Sequence, residues 1–171
     1  MERKQVILKE DSYGYKPMKA FQESMSTYLD SKISYILEVK SDWISLLDAE
    51  ENEIKQYPYT DIECINLSMC SRYAGGTGRF GGIRTTINID FDIIEKDQTY
   101  SFEIVQPISF RKMIDAICEH NIDVVDMVGV IDIYNKYPDY EQRTKYFETH
   151  FNELSKKYKL EHPRFKSRFK N

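Results

Sequence analysis

Residues 83–93 constrain the fold of this chain more than any other segment, because apolar and polar side chains alternate there without a break. The odd positions from Ile83 to Ile93 carry isoleucine, threonine and phenylalanine, and the even positions are polar. A period of two places successive side chains on opposite faces of a β-strand. The segment therefore predicts a strand with one buried face and one face turned to water.

Two neighbouring segments show the same alternation. Ile65, Leu67 and Met69 are separated by polar residues, and Tyr100, Phe102 and Ile104 follow a turn at 96–98. Runs of this kind joined by short turns are typical of antiparallel strands. We therefore expect a small antiparallel β-meander of about three to four strands.

Helical spacing marks three other parts of the chain. Apolar residues recur at steps of three and four in three segments. One covers residues 17–31, the second begins at Ser109, and the last begins at Pro138. These patterns predict helices packed on one face of the meander and a helical C-terminal third.

Three segments are less clear. Residues 32–40 fit a strand or a helix. Ser41 and Asp42 predict the start of a helix that carries Trp43 and ends before Pro58. Residues 123–136 are apolar on nearly every side, which favours a buried helix capped by Asp123 and leaves a buried strand as the alternative.

The length and composition indicate a single α+β domain over residues 1–160, followed by a basic and aromatic tail at 161–171. A chain of 171 residues is the size of one domain, and 41% hydrophobic residues exclude a disordered chain. No apolar run reaches the length of a membrane helix, and residues 1–4 do not resemble a signal peptide. Three cysteines without paired spacing indicate reduced thiols. We expect a cytoplasmic protein.

Charge is unevenly distributed along the chain. The net charge is −4, but residues 156–171 hold seven basic side chains and one acid, a net of +6 that leaves −10 for residues 1–155. An acidic body repels phosphates and attracts basic surfaces, whereas a basic tail does the opposite.

A glycine-rich segment between two predicted strands is surrounded by arginines. Five of the seven glycines lie within 74–82, and Arg72, Arg79 and Arg84 surround them. Glycines allow backbone N–H groups to approach an anion, and arginines donate bidentate hydrogen bonds. The pattern matches neither a Walker loop nor a dinucleotide fingerprint. It predicts a loop that grips a phosphate, a nucleic-acid backbone or an acidic partner; the alternative is a hairpin loop with solvated arginines.

The polar face of the central strand carries Asp90 and Asp92, and Glu103 falls opposite them across the turn. Clustered carboxylates can hold Mg²⁺ for phosphoryl transfer. The lysine that follows such a glutamate in some metal nucleases is missing here, where Ile104 follows. An exposed acidic docking face is therefore the preferred interpretation, and no cofactor is predicted.

The C-terminal tail interleaves basic and aromatic residues. Its basic side chains can neutralise phosphates and its rings can stack on unpaired bases. The same pattern would suit an acidic groove on a protein, or a solvated terminus. The residues concerned are Arg164, Phe165, Lys166, Arg168 and Phe169.

The function predicted from these features is binding rather than catalysis. The preferred hypothesis is a phage or mobile-element product that docks through its acidic surface on a larger nucleic-acid-handling protein and inhibits or modulates it. One alternative is direct nucleic-acid binding by the loop at 72–84 and the tail. Another is a metal-dependent phosphoryl-transfer enzyme or nuclease that uses Asp90, Asp92 and Glu103. The sequence does not indicate an oligomeric state.

Overall fold

A computed structural model of the chain describes residues 3–12, 35–74, 84–105 and 107–161. Within these ranges eight strands form one sheet and three α-helices follow the seventh strand. The strands are β1 (Lys4–Leu8), β2 (Tyr35–Val39), β3 (Trp43–Asp48), β4 (Glu53–Pro58), β5 (Ile62–Ala74), β6 (Arg84–Glu95), β7 (Gln98–Ile104) and β8 (Asp123–Asp126). The helices are α1 (Phe110–Cys118), α2 (Val130–Lys136) and α3 (Tyr140–Tyr158).

The sheet is large and mixed, with the strand order β4-β3-β2-β1-β7-β6-β5-β8. Strand β1 runs parallel to β2 and to β7, and β8 runs parallel to β5; the other pairs are antiparallel. The prediction of a small antiparallel meander is therefore wrong, although the chain is α+β. Local alternation reveals hairpins but not parallel neighbours, which come from distant parts of the chain.

The predicted meander forms the centre of this sheet. Strands β5, β6 and β7 are antiparallel neighbours, and Phe91 lies opposite Leu67 on one side and Phe102 on the other. These three side chains are buried, as the alternating pattern predicts. The three central strands and the side chains that they bury could thus be predicted from the sequence.

Two predicted segments between residues 35 and 58, one ambiguous and one helical, are strands in the structure. Residues 35–39 form β2, and the predicted helix that carries Trp43 is wrong because residues 43–48 form β3 and residues 53–58 form β4. Ile44 and Leu46 are buried in the main core, whereas Leu47 is buried in a separate small cluster. A strand buried on both faces loses the alternation that would identify it.

Residues 123–136 contain a strand and a helix rather than one helix. The first four residues form β8 beside β5, so the prediction of a continuous helix is wrong there. Gly129 has a φ of +79°, a left-handed conformation that glycine adopts readily, and α2 begins at the next residue. The carboxylate of Asp126, not that of Asp123, accepts the first amides of this helix.

The three helices share one hydrophobic core with the face of the sheet that carries Phe91. Phe110 of α1, Tyr134 of α2 and Phe147 of α3 belong to the same buried cluster as the central strands. The predicted helix at 17–31 lies outside the described residues. No helix in the described ranges is long and apolar enough to span a membrane.

The cap of α2 gives a test of this part of the fold. Asp126 Oδ1 accepts from the amides of Gly129 and Val130 at 2.9 Å, and Oδ2 accepts from Ile131 at 2.8 Å. Loss of these bonds in Asp126→Ala should lower the free energy of unfolding by about 2 kcal/mol in urea denaturation. The control Asp123→Ala removes an exposed carboxylate and should change it by less than about 0.5 kcal/mol. Equal effects of the two variants would contradict the assignment of the cap.

Candidate functional site

The face of the sheet opposite the helices carries a group of polar side chains, which we call the central polar cluster. It is assembled by register, since Glu103 on β7 lies beside Gln5 on one side and Asp90 on the other, and Asn88 lies beside Cys70. Four neighbouring strands therefore contribute to it. Its members are Arg3, Gln5, Cys70, Arg72, Asn88, Asp90, Asp92 and Glu103.

Glu103 is the centre of the cluster and is only 2% exposed. Arg72 Nε donates to both of its carboxylate oxygens at 3.1 and 3.0 Å, and Arg72 Nη2 donates to Oε2 at 2.6 Å. Asn88 Nδ2 and Gln5 Nε2 donate to Oε1 at 2.6 and 3.3 Å. A buried carboxylate is stable only when it is paired and hydrogen-bonded, and this arrangement meets both requirements.

Arg72 also holds Glu161, the first residue of the tail. Its Nη2 donates to Glu161 Oε2 at 3.0 Å, and the backbone amide of Ser71 donates to the Glu161 carbonyl oxygen at 3.0 Å. The hydrogen bond from Arg72 lowers the pKa of Glu161. The chain at Glu161 is therefore fixed beside β5 by one side-chain and one backbone contact.

The second part of the cluster is less completely bonded. Arg3 Nη1 lies 3.5 Å from Asp90 Oδ2, and Arg3 Nη2 lies 4.0 Å from Asp92 Oδ2. Burial raises the pKa of Asp90, and the charge of Arg3 opposes that shift only in part. Oδ1 of each aspartate is buried without a hydrogen-bond partner in the described ranges, as is Oδ1 of Asn88.

This geometry can be compared with the requirements of a metal site. One ligand atom each from Cys70, Asp90 and Glu103 lies within 4.8 Å of the others. However, Arg72 already saturates the Glu103 carboxylate, and burial raises the pKa of the Cys70 thiol, which keeps it protonated. Two of the three candidate ligands thus already face a guanidinium, Arg72 at Glu103 and Arg3 at Asp90, and the residues do not fit a metal site.

The structure brings four of the predicted site residues together and shows that two of them are buried rather than exposed. Arg72, Asp90, Asp92 and Glu103 lie in one cluster, but Asp90 is 5% exposed and Glu103 is 2% exposed. The expected exposed acidic face is therefore wrong at these two positions. Alternation shows that a side chain points away from the apolar face, not that water reaches it.

The remaining predicted site residues are not among the described members of the central polar cluster. The backbone of Arg84 begins β6 opposite Ala74. Arg79 and the tail residues fall outside the described residues; the tail residues are Arg164, Phe165, Lys166, Arg168 and Phe169.

Sequence reasoning missed several residues that contact the carboxylates or Arg72, namely Arg3, Gln5, Asn88 and Glu161. Gln5 lies in β1 and Arg3 directly precedes it, and the parallel pairing of β1 with β7 has no local signal. Glu161 lies 89 residues from Arg72 in sequence. The place of Arg72 in this cluster, rather than in the predicted loop, could have been recognised, because Arg72 and Cys70 lie two residues apart on the same face of β5.

No known protein-family model, curated protein or solved structure significantly matches this chain.

The buried ion pair can be tested by removing one partner. Arg72→Met leaves the Glu103 carboxylate buried without its counter-charge, and the free energy of unfolding should fall by about 3–5 kcal/mol. The double variant with Glu103→Leu should recover much of the loss, because no buried charge remains. Arg111→Met, which removes an exposed pair with Asp115, is the control and should cost less than about 0.5 kcal/mol in urea denaturation. A small effect of Arg72→Met would contradict the assigned pair.

The raised pKa of Asp90 predicts a pH dependence. A carboxyl whose pKa is higher in the folded state contributes stability below its unfolded pKa, and that contribution is lost as pH rises through the folded value. The neutral isostere in Asp90→Asn avoids this loss. The stability of the variant relative to the unmodified protein should therefore increase between about pH 4 and about pH 7. Urea denaturation at both pH values measures it, and a constant or decreasing difference would rule out the raised pKa.

Proposed function

We propose that this chain is a non-enzymatic binding protein for single-stranded nucleic acid, held by its basic tail together with the glycine-rich segment. The observation that carries the proposal is the attachment of Glu161 to β5 through Ser71 and Arg72. That attachment sets where the basic tail begins relative to the glycine-rich segment.

The two basic segments leave the described structure at the same end of one ladder. Ala74 is the last residue of β5 and pairs with Arg84, the first residue of β6, so the segment 75–83 begins and ends there. Glu161 is fixed at Ser71, three residues before Ala74. Two segments that are far apart in sequence therefore start from neighbouring points.

The composition of these segments suits a nucleic-acid strand. Residues 162–171 carry four basic side chains and two phenylalanines, and Arg79 lies within the glycine-rich segment. Phosphate neutralisation by lysine and arginine supplies affinity, and aromatic rings supply stacking on unpaired bases. The acidic remainder of the chain repels phosphates and so favours contact at this end.

The central polar cluster supports binding over catalysis. The Glu103 carboxylate is occupied by Arg72, and the protonated Cys70 thiol is a poor nucleophile. The metal-dependent phosphoryl-transfer alternative would need the Glu103 carboxylate to be available together with Asp90 and Asp92. The other hypothesis, in which an acidic face docks on a larger nucleic-acid-handling protein, is weakened because Asp90 and Glu103 are buried and cannot contact a partner. Direct contact with nucleic acid is therefore the better-supported proposal.

Fluorescence anisotropy with a dye-labelled oligothymidylate tests the proposal on the full chain. We expect binding at low salt, with a logarithmic salt slope of about −0.7 for each phosphate neutralised. Replacing Arg164, Lys166, Arg168 and Lys170 by glutamine should make the logarithmic salt slope less negative by up to about 3. The matched control replaces four basic residues elsewhere by glutamine and should leave affinity nearly unchanged: Lys55, Lys96, Arg111 and Lys112.

Two results would overturn this proposal. One is the absence of oligonucleotide binding at low salt. The other is an equal loss of affinity in the tail variant and the control variant, which would indicate an effect of net charge alone.

A further inference from the structure

A cavity of about 220 Å³ lies between α3 and the β5–β6 ladder, on the helical face of the sheet. It is separate from the central polar cluster, which occupies the opposite face. Both polar and apolar groups line it, among them Ser71, Thr86, Tyr134, Arg143, Phe147 and Glu148. Its volume suits a small molecule and is too small for a polymer.

Arg143 gives this cavity an uncompensated positive charge. The side chain is only 5% exposed, and its Nη1 donates to the backbone carbonyls of Tyr137 (at 2.9 Å) and Pro138. Its guanidinium carbon lies 4.3 Å from the centre of the Tyr134 ring. No carboxylate forms an ion pair with it in the described part of the chain. Buried charges are almost always paired, so an unpaired buried guanidinium facing a cavity indicates a missing anion.

Ser71 points to a ligand independently of Arg143. The residue is 1% exposed, and its hydroxyl oxygen has no hydrogen-bond partner within the described ranges. It follows the buried apolar positions Leu67 and Met69 on the same face of β5, where packing alone does not require a hydroxyl. A ligand that accepts a hydrogen bond from Ser71 would satisfy this group.

We propose that the cavity binds a small organic carboxylate, whose charged group pairs with Arg143 and accepts a hydrogen bond from Ser71. The guanidinium of Arg143 is planar, and its paired N–H donors match the geometry of a planar carboxylate. Phe147 supplies an apolar wall for the rest of the ligand.

The charge balance favours a monoanion over a phosphate. One guanidinium compensates one negative charge, so a dianion would leave a second charge unpaired in the cavity. Burial raises the pKa of Tyr134 well above its usual range, so its hydroxyl stays neutral beside the anion. This site does not depend on the nucleic-acid proposal, because it lies on α3 and uses none of the tail residues.

Amide-detected NMR titration of the full chain tests the proposal with three carboxylates (acetate, benzoate and phenylacetate) and their matched neutral amides. We expect saturable shifts with a carboxylate at residues around Ser71 and Arg143, and at least about tenfold weaker binding of its amide. Arg143→Gln should weaken carboxylate binding by at least about tenfold.

Arg143 also donates to two backbone carbonyls, so Arg143→Gln removes a structural contact together with the ligand contact. A second variant therefore tests the site without that structural effect. Ser71→Ala removes a hydroxyl that has no partner in the described ranges and should weaken binding several-fold without unfolding the domain. Ser41→Ala, in an exposed turn, is the control and should bind as the unmodified chain does. The proposal is overturned if no carboxylate binds at roughly 10 mM, if the amides bind equally well, or if Ser71→Ala leaves affinity unchanged.

Discussion

The pairing of Arg72 with Glu103 is the interaction on which the arrangement of this protein depends. A carboxylate that is 2% exposed in the middle of a sheet requires a counter-charge, and a guanidinium from β5 supplies it across β6. Gln5 and Asn88 complete the bonding, so four strands must be in register for the charge to be satisfied. Removing one partner of such a pair is costly, which makes slipped registers unfavourable. The same guanidinium donates to the Glu161 carboxylate and so holds that residue beside β5.

The parts of the fold that could be predicted are those with local signals. Alternation located β5, β6 and β7 and placed Asp90 opposite Glu103, and helical spacing located α1 and α3. The parallel neighbours of β1 and β5 could not be predicted, because no turn joins them. The strand that begins at Trp43 could not be told from a helix, because it is apolar on both faces. The burial of Asp90 could not be predicted either, because it depends on arginines from other strands.

Half of the members of the central polar cluster could be predicted from the sequence, but not their burial or their contacts with one another. The sequence predicts Arg72 as a loop cation and Asp90, Asp92 and Glu103 as acidic surface, and the structure joins them in one cluster where Arg3 and Arg72 offset only part of the acidic charge. Because Asp90 and Glu103 are buried there, the proposed binding functions involve other parts of the molecule. One is the end of the β5–β6 ladder, where the tail begins, and the other is the cavity beneath α3. Both involve Ser71, whose amide holds Glu161 while its hydroxyl lines the cavity.

The most direct test of this account is hydrogen exchange at the Ser71 amide, because that N–H donates to the carbonyl of Glu161. The account predicts slow exchange in the full chain and clearly faster exchange in a chain that ends at Leu160, with neighbouring β5 amides that bond to β6 unchanged. Equally fast exchange at Ser71 in both chains would show that Glu161 is not held there in solution, and would contradict the account.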